Sequence, residues 1–414
     1  MPLMSGIYKQ HHFTPELRPE LNASGVTFAV MENEFYVPAF NKNLANASLW
    51  YDAYNKCNGI DCSLEQKSRF YSLSAKHGTH VVGLISGEYN GESLGFATGA
   101  TIIPVCAISH AADLDESKTV CMHAFQYLTT LPKVEVINLS QELTGSNLEQ
   151  HYLMELVKKG CVIVYAAGNQ SRNLEQTHIG KLLQNPILRK GVLVVGNVDS
   201  NNRTSVDSNT ASSTFQGHGV LCNGQDRVSI VPDEYKDKSK LGILTGTSQA
   251  APTVAGAIGL LIQQNPGYTN AQLMRIVTTS GEIIDSNSPF RVLHVDNMLN
   301  PELQQSILAQ PPKTIDPNLA HALGNNNLPA LNICINHFPF FKDNHPSAKF
   351  VFRKLIETEI ITHVRPDLMS HIKEPALIKH ATDKAVYGIV YTDDTTTTVF
   401  MATLAVQMDQ KLFF

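Results

Sequence analysis

Six short runs of β-branched and other apolar residues, each nearly unbroken, constrain this chain more than any other feature. They are Val26–Met31, Thr101–Ile108, Val134–Leu139, Cys161–Ala166, Val192–Gly196 and Val228–Val231. A strand with one wet face alternates apolar and polar residues. A run that is apolar throughout suits a strand covered on both sides, as in a parallel sheet. Helical stretches lie among and after these runs, at His77–Gly87, Ser117–Leu131, Asn147–Lys158, Ser248–Gln264 and Asn270–Thr279. The alternation predicts an α/β fold with a doubly wound, mostly parallel sheet. Reactive groups in such sheets collect at the carboxyl ends of strands, so residues just after each run are the candidates.

The 414 residues suit one large domain and one smaller one. A net charge of −5 leaves no sequence-wide basic field for nucleic acid or an anionic membrane. The longest apolar stretch, Val254–Ile262, falls well short of the ~18–20 residues that cross a bilayer, so no membrane span is expected. Residues 1–24 read as an N-terminal extension, with His11 and His12 in a disordered end. The start MPLMSGIYKQHHF lacks the basic and apolar regions of a cleaved signal peptide. The expected location is cytoplasmic, or outside without a cleaved signal peptide. The seven cysteines are Cys57, Cys62, Cys106, Cys121, Cys161, Cys222 and Cys334. Their odd number and partly apolar settings predict reduced thiols. Cys57-x4-Cys62 matches no standard zinc spacing and leaves a loop clip or a metal as minor readings.

The texture changes after residue 304, which ends a domain expected over 25–304. Residues 305–330, with Gln310-Pro311-Pro312-Lys313, read as a linker, and 331–414 as a C-terminal α+β domain. That domain is expected to hold a helix at Phe350–Thr362. It should also hold a hairpin of Ala385–Thr392 and Thr395–Leu404 joined by Asp393-Asp394. It carries no chemical motif, and binding of substrate or a regulator is the role expected of it.

Two segments open helices with reactive side chains. They are His77-Gly78-Thr79-His80-Val81-Val82-Gly83 and Gly246-Thr247-Ser248-Gln249-Ala250-Ala251-Pro252. A serine hydroxyl is a weak nucleophile until a histidine takes its proton. A helix N-terminus aims free N–H groups at developing negative charge. Gly246 leaves room for substrate, and Pro252 removes a donor where the loss is small.

These segments resemble the histidine and nucleophile motifs of the subtilisin-like serine proteases, the subtilases. Ala166-Ala167-Gly168-Asn169 resembles that family's oxyanion-asparagine segment. Val136–Ser140 resembles the start of its substrate-binding strand, and Gly95–Val105 the strand after the histidine helix. The matches are collinear over about Gly25–Asn300. The resemblance implies Ser248 as nucleophile, His77 as general base then acid, and Asn169 as oxyanion donor. Ser140, Gln141, Glu142, Ala167 and Gly168 would line the substrate cleft. It also implies a protein or peptide substrate, no catalytic cofactor, and at most a structural calcium.

Three departures stand out. Glu32 takes the position of the family's first-strand aspartate, followed by Asn33 and Glu34 instead of small residues. A glutamate can orient His77, provided the backbone absorbs its extra methylene. Gln141 and Glu142 replace an apolar residue and a glycine, so the cleft is expected to be narrowed or charged. With about 24 residues before Gly25, no folding pro-domain is expected there, and the chain resembles the intracellular type or a form whose control lies elsewhere. The function expected is a serine endopeptidase acting through an acyl-enzyme. The alternative is a catalytically impaired subtilase fold that binds protein. Among simpler roles, His80 is expected to be a packed histidine rather than a metal partner of His77. Gly168-Asn169 would suit a left-handed turn.

Overall fold

The computed structural model describes residues 5–15, 18–107, 114–233, 238–284, 288–309, 386–392 and 399–405. These fall in two compact units, Met1–Gln310 and Pro311–Phe414. The first unit opens with helix α1 (Ser5–Gln10), strands β1 (Thr27–Glu32), β2 (Tyr51–Asp52) and β3 (Cys57–Asn58), and helix α2 (Lys76–Ser86). A small hairpin, β4 (Glu88–Tyr89) and β5 (Glu92–Ser93), leads to β6 (Thr101–Cys106) and α3 (Leu114–Thr130). There follow β7 (Val136–Leu139), α4 (Asn147–Lys158), β8 (Val162–Ala166), α5 (His178–Leu182) and β9 (Val192–Val198). Then come β10 (Gly219–Asn223), β11 (Arg227–Asp233), β12 (Lys238–Leu244), α6 (Thr247–Gln264) and α7 (Asn270–Ser280). The unit closes with β13 (Arg291–Val292), α8 (Val295–Met298) and α9 (Pro301–Ala309).

Nine strands form one sheet in the order β13-β10-β9-β8-β7-β1-β6-β2-β3, with every pairing parallel except β2–β3. Alternate residues of each strand feed two apolar layers. Phe28 and Val30 face the layer holding α2, α6 and α7, while Ala29 and Met31 face the layer holding α3 and α4. Both faces are covered, which is why the runs are apolar throughout. Helix α6 lies hard against β1: a Cβ on Gly259 would stand 2.6 Å from the Phe28 ring. The chain leaves β1 for β6 on one side and then crosses back to β7 on the other. The strand order therefore reverses beside β1, and the carboxyl ends of β1 and β7 flank the crevice.

Several expectations need correction. Val228–Val231 is not a strand of the main sheet: it belongs to β11, which among the described residues pairs with β12 as an antiparallel ribbon. The sheet position falls instead to β10, whose Val220 and Cys222 are buried. His11 does not lie in a disordered end, since its side chain is fully buried among polar partners and Phe13 packs in the core. Nor does a linker begin at 305, because α9 continues to Ala309 with Gln304 and Ile307 buried. The cysteines are not all reduced. The turn after β3, closed by Cys62 N–H donating to Asn58 O at 3.0 Å, brings Cys57 and Cys62 to a Cα separation of 5.3 Å, and they form a disulfide. Cys106, Cys121, Cys161 and Cys222 are free and buried.

In the second unit, β14 (Val386–Thr392) pairs antiparallel with β15 (Val399–Ala405). Thr392 pairs with Val399, and residues 393–398 of the expected hairpin lie outside the described residues. Phe350–Thr362 lies outside the described residues, as does Cys334. No helix among the described residues is long and apolar enough to cross a membrane.

Candidate active site

Strand β1 ends on Glu32, whose carboxylate is buried against the first turn of α2. There His77 Nδ1 donates to Glu32 Oε2 at 2.9 Å, with the other face of the ring half exposed. The Glu32 charge holds the His77 pKa above 6.5, outweighing the opposite effect of burial. Gly78 makes the approach possible: a Cβ there would stand 2.3 Å from Glu34 O and 3.0 Å from Glu32 Cβ. Among the described residues Glu32 Oε1 is buried with no hydrogen-bond partner.

The neighbouring acids and amides are committed elsewhere. Asn33 Oδ1 accepts from the Tyr54 hydroxyl at 2.9 Å, and Glu34 Oε1 accepts from Ser74 Oγ at 3.0 Å. Asp52 is fully buried, accepting from Tyr54 N and Asn55 beside Arg69. Asp61 accepts from Asn58 Nδ2. His80 donates from Nε2 to Arg227 O at 2.9 Å, and burial lowers its pKa to about 4. It is the packed histidine the sequence suggests.

Helix α6 opens from a turn with little slack. Gly246 has φ +148°, and a Cβ on it would stand 3.1 Å from Asn169 Nδ2. Its N–H donates to Gly224 O at 2.9 Å, while Gly224 N–H donates to Asn197 Oδ1 at 2.7 Å. Thr247 N–H donates to Asn169 Oδ1 at 2.9 Å, which leaves the Asn169 Nδ2 hydrogens for another acceptor. The first-turn amides of a helix have no acceptor within it, so Ser248 N–H is a second donor of that kind.

Pro252 has a further consequence. It carries no N–H, so the Ser248 carbonyl one turn earlier loses its helical donor. Ser140 Oγ supplies the missing hydrogen at 3.0 Å, itself receiving one from Asn138 Nδ2 at 3.0 Å. In return Ser248 Oγ donates to Ser140 O at 3.1 Å. Ser248 is thereby docked on the end of β7, next to β1, where Met31 pairs with Leu139. Among the described residues the Ser248 hydroxyl is turned to Ser140 and makes no hydrogen bond to His77.

Beyond Ser140 the chain leaves the carboxyl end of β7 through Gln141 and Glu142. Gln141 is half-buried and Glu142 exposed. The turn beneath is held from below: Leu143 N–H donates to the Tyr165 hydroxyl at 3.3 Å. The Thr144, Gly145 and Ser146 amides all donate to the buried Glu149 carboxylate. Ala167 and Gly168 follow β8, the parallel neighbour of β7. Gly168, not Asn169, takes the left-handed conformation, at φ +99°, and a Cβ there would stand 2.5 Å from Asn209 Nδ2. Asn209 braces this turn, donating to Ala167 O and accepting from Gln170 N and Arg172 N.

Sequence reasoning missed these braces. Asn138, a lone amide in an apolar run, and Ser146-x-x-Glu149, with capping-box spacing, carried a readable signal. Asn209 carried none.

Two clusters among the described residues bring ligand-type atoms together. In the first, His12 and His294 stack at 4.1 Å with an interplanar angle of 7°, both beside Glu282. Parallel rings aim their lone pairs alongside one another rather than at one ion. His294 Nδ1 also accepts from Asn297 N, which puts the ring proton on Nε2. In the second cluster, Asp52 with Cys57 and Cys62, the thiols are spent on the disulfide. Neither is the oxygen-rich set that calcium takes.

A family profile described as the subtilase family matches residues 23–309. The chain is 27% identical over 297 residues to the serine protease AprX of Bacillus subtilis (strain 168), covering 62% of this chain and 61% of that protein. It is 28% identical over 205 residues to subtilisin E of the same organism, covering 49% of this chain and 50% of that protein. The chain thus spans only half to three-fifths of the length of these relatives. Among solved structures it resembles that of the proteases from Pseudoalteromonas arctica PAMC 21717. The identity is 18%, over 72% of this chain and 98% of that one, and the TM-score is 0.56. The profile covers more than half the chain, and its span holds both the crevice between β1 and β7 and all four candidate residues. By fold and by sequence, the chain belongs to the subtilase family.

Proposed function

We propose that this protein is a serine endopeptidase in which Glu32, His77 and Ser248 form the triad and Asn169 donates to the oxyanion. The observation that carries the reading is the 2.9 Å contact between His77 Nδ1 and Glu32 Oε2, made at the strand end adjoining the one that docks Ser248. With Nδ1–H held by the carboxylate, the neutral ring keeps its lone pair on Nε2, available to take the nucleophile's proton. Rotation of the Ser248 hydroxyl from Ser140 O to His77 lets the imidazole take the proton as Oγ attacks a peptide carbonyl. The carbonyl oxygen becomes an oxyanion, stabilised by Asn169 Nδ2 and Ser248 N–H. His77, now a cation beside Glu32, returns the proton to the leaving amine, and water repeats the sequence on the acyl-enzyme.

Peptide and protein substrates follow from the same reading, with Glu142 favouring basic side chains in the cleft. One observation favours the alternative of an impaired, protein-binding fold: Ser248 Oγ is turned to Ser140 O. The two readings separate on one experiment. A fluorophosphonate probe should label the full chain at Ser248, and the same preparation should hydrolyse peptides. A folded protein that does neither, as inert as its Ser248→Ala variant, would refute the peptidase.

A further inference from the structure

The segment before β1 is tied to the far end of the domain and to the turn that carries the nucleophile. His11 O accepts from Val295 N at 2.8 Å, and His12 O accepts from Asp296 N at 2.9 Å. Phe13 packs edge-on against Tyr8 and Phe96, with ring centroids 5.2 and 5.3 Å away. The imidazole of His11 is fully buried and uses both nitrogens. Nδ1–H donates to Leu293 O at 3.1 Å, so the lone pair lies on Nε2, which accepts from Asn223 N–H at 3.2 Å. The Cys222 thiol lies 3.4 Å from the same nitrogen. Burial keeps the ring neutral, lowering its pKa to about 3. The neighbouring Gln10 takes the other side of the same residue, accepting from Asn223 Nδ2 at 2.6 Å.

Asn223 is gripped at main chain and side chain, and the next residue, Gly224, accepts from Gly246 N–H at 2.9 Å. A Cβ on Gly224 would stand 2.2 Å from Gly246 O, so the two backbones have no slack between them. Gly246 lies two residues before Ser248. We infer that His11 is a positioning residue for the nucleophile, setting the Asn223–Gly224 turn and through it the Gly246–Ser248 turn. The inference rests on the serine-peptidase reading above. An apolar side chain would fill the same space. Only an acceptor at the Nε2 position fixes the Asn223 amide.

The test uses the full chain with His11→Phe, His11→Gln and His11→Asn. Glutamine can present its carbonyl oxygen near the Nε2 position, whereas the shorter asparagine reaches only the Nδ1 end. With ~1 Å of displacement passed to Ser248, His11→Phe should lower kcat by about 10²-fold and change KM less than about twofold. His11→Gln should recover most of that loss and His11→Asn little of it. The Gly246 amide, read residue by residue in hydrogen exchange, should exchange faster in His11→Phe than in the parent and in His11→Gln. Equal kcat in parent and His11→Phe, equal losses in the Phe and Gln variants, or unchanged exchange at Gly246 would overturn the role. If His11→Phe does not fold, the same comparison is made between the Gln and Asn variants. A parent that neither hydrolyses peptides nor takes the probe refutes the peptidase instead. Exchange at Gly246 then still decides whether His11 braces the turn.

Discussion

Glu32 and His77 meet through one charge-assisted hydrogen bond, with the second carboxylate oxygen buried and unpartnered among the described residues. Ser248, on the facing side of the crevice, is held by neutral hydrogen bonds running through Ser140, Asn138, Asn169, Thr247 and Gly224. The charged half is tuned by pH and fails with one group, whereas the neutral half ignores pH and spreads its geometry over several partners. A single substitution should therefore damage the first half more than the second, unless it removes the reacting atom itself.

The largest effects test whether the halves act as one unit. Ser248→Ala and His77→Ala should each lower kcat on the order of 10⁶-fold, with the double variant no slower than either. Losses that multiply in steady-state assays would mean the two residues act separately. Next comes the single charged contact. Glu32→Gln keeps the shape but cannot stabilise the imidazolium, and should lower kcat by about 10⁴-fold. It should also move the pH profile. Activity needs neutral His77, so kcat/KM of the parent rises with pH through a pKa above 6.5, and this limb should shift to lower pH in the variant. An unmoved limb would remove Glu32 from the triad.

Within the neutral half, Asn169→Ala should lower kcat by about 10²–10³-fold with KM little changed, because its amide meets charge only in the transition state. A pure KM effect would reassign it to substrate binding. The smallest effect belongs to the cleft wall. Glu142 is exposed, so its charge is worth ~0.2–1 kcal/mol, at most about a fivefold preference for Lys or Arg over a neutral side chain. Cleavage profiles that Glu142→Gly leaves unchanged would deny it any part in selection.

The same division separates what the sequence made legible from what it hid. Strands β1, β6, β7, β8 and β9 stood out because burial on both faces makes a run apolar throughout. Val228–Val231 looked alike yet forms a ribbon, since an apolar run says nothing of which partner it pairs with. His77, Ser248 and Asn169 were readable because the residues around them must be small for helix starts and turns to close up. Asn209, Glu149 and His11 were not read as braces, because each serves main-chain groups distant in the fold or hidden in a turn. His11 in particular looks like a loose polar end until Leu293 and Asn223 are placed beside it.

The contact between His11 and Leu293 joins residues 282 apart. Closing so long a loop carries an entropy penalty that near neighbours escape, and it fixes an order of events as well. A chain made from its N-terminus exposes His11 early, then waits for almost the whole domain before the Leu293 carbonyl exists. Until then the imidazole cannot satisfy both nitrogens at once. The turn beside Ser248 is thus among the last parts of the domain to gain its full set of partners, and a nascent chain reaches its finished active-site geometry late.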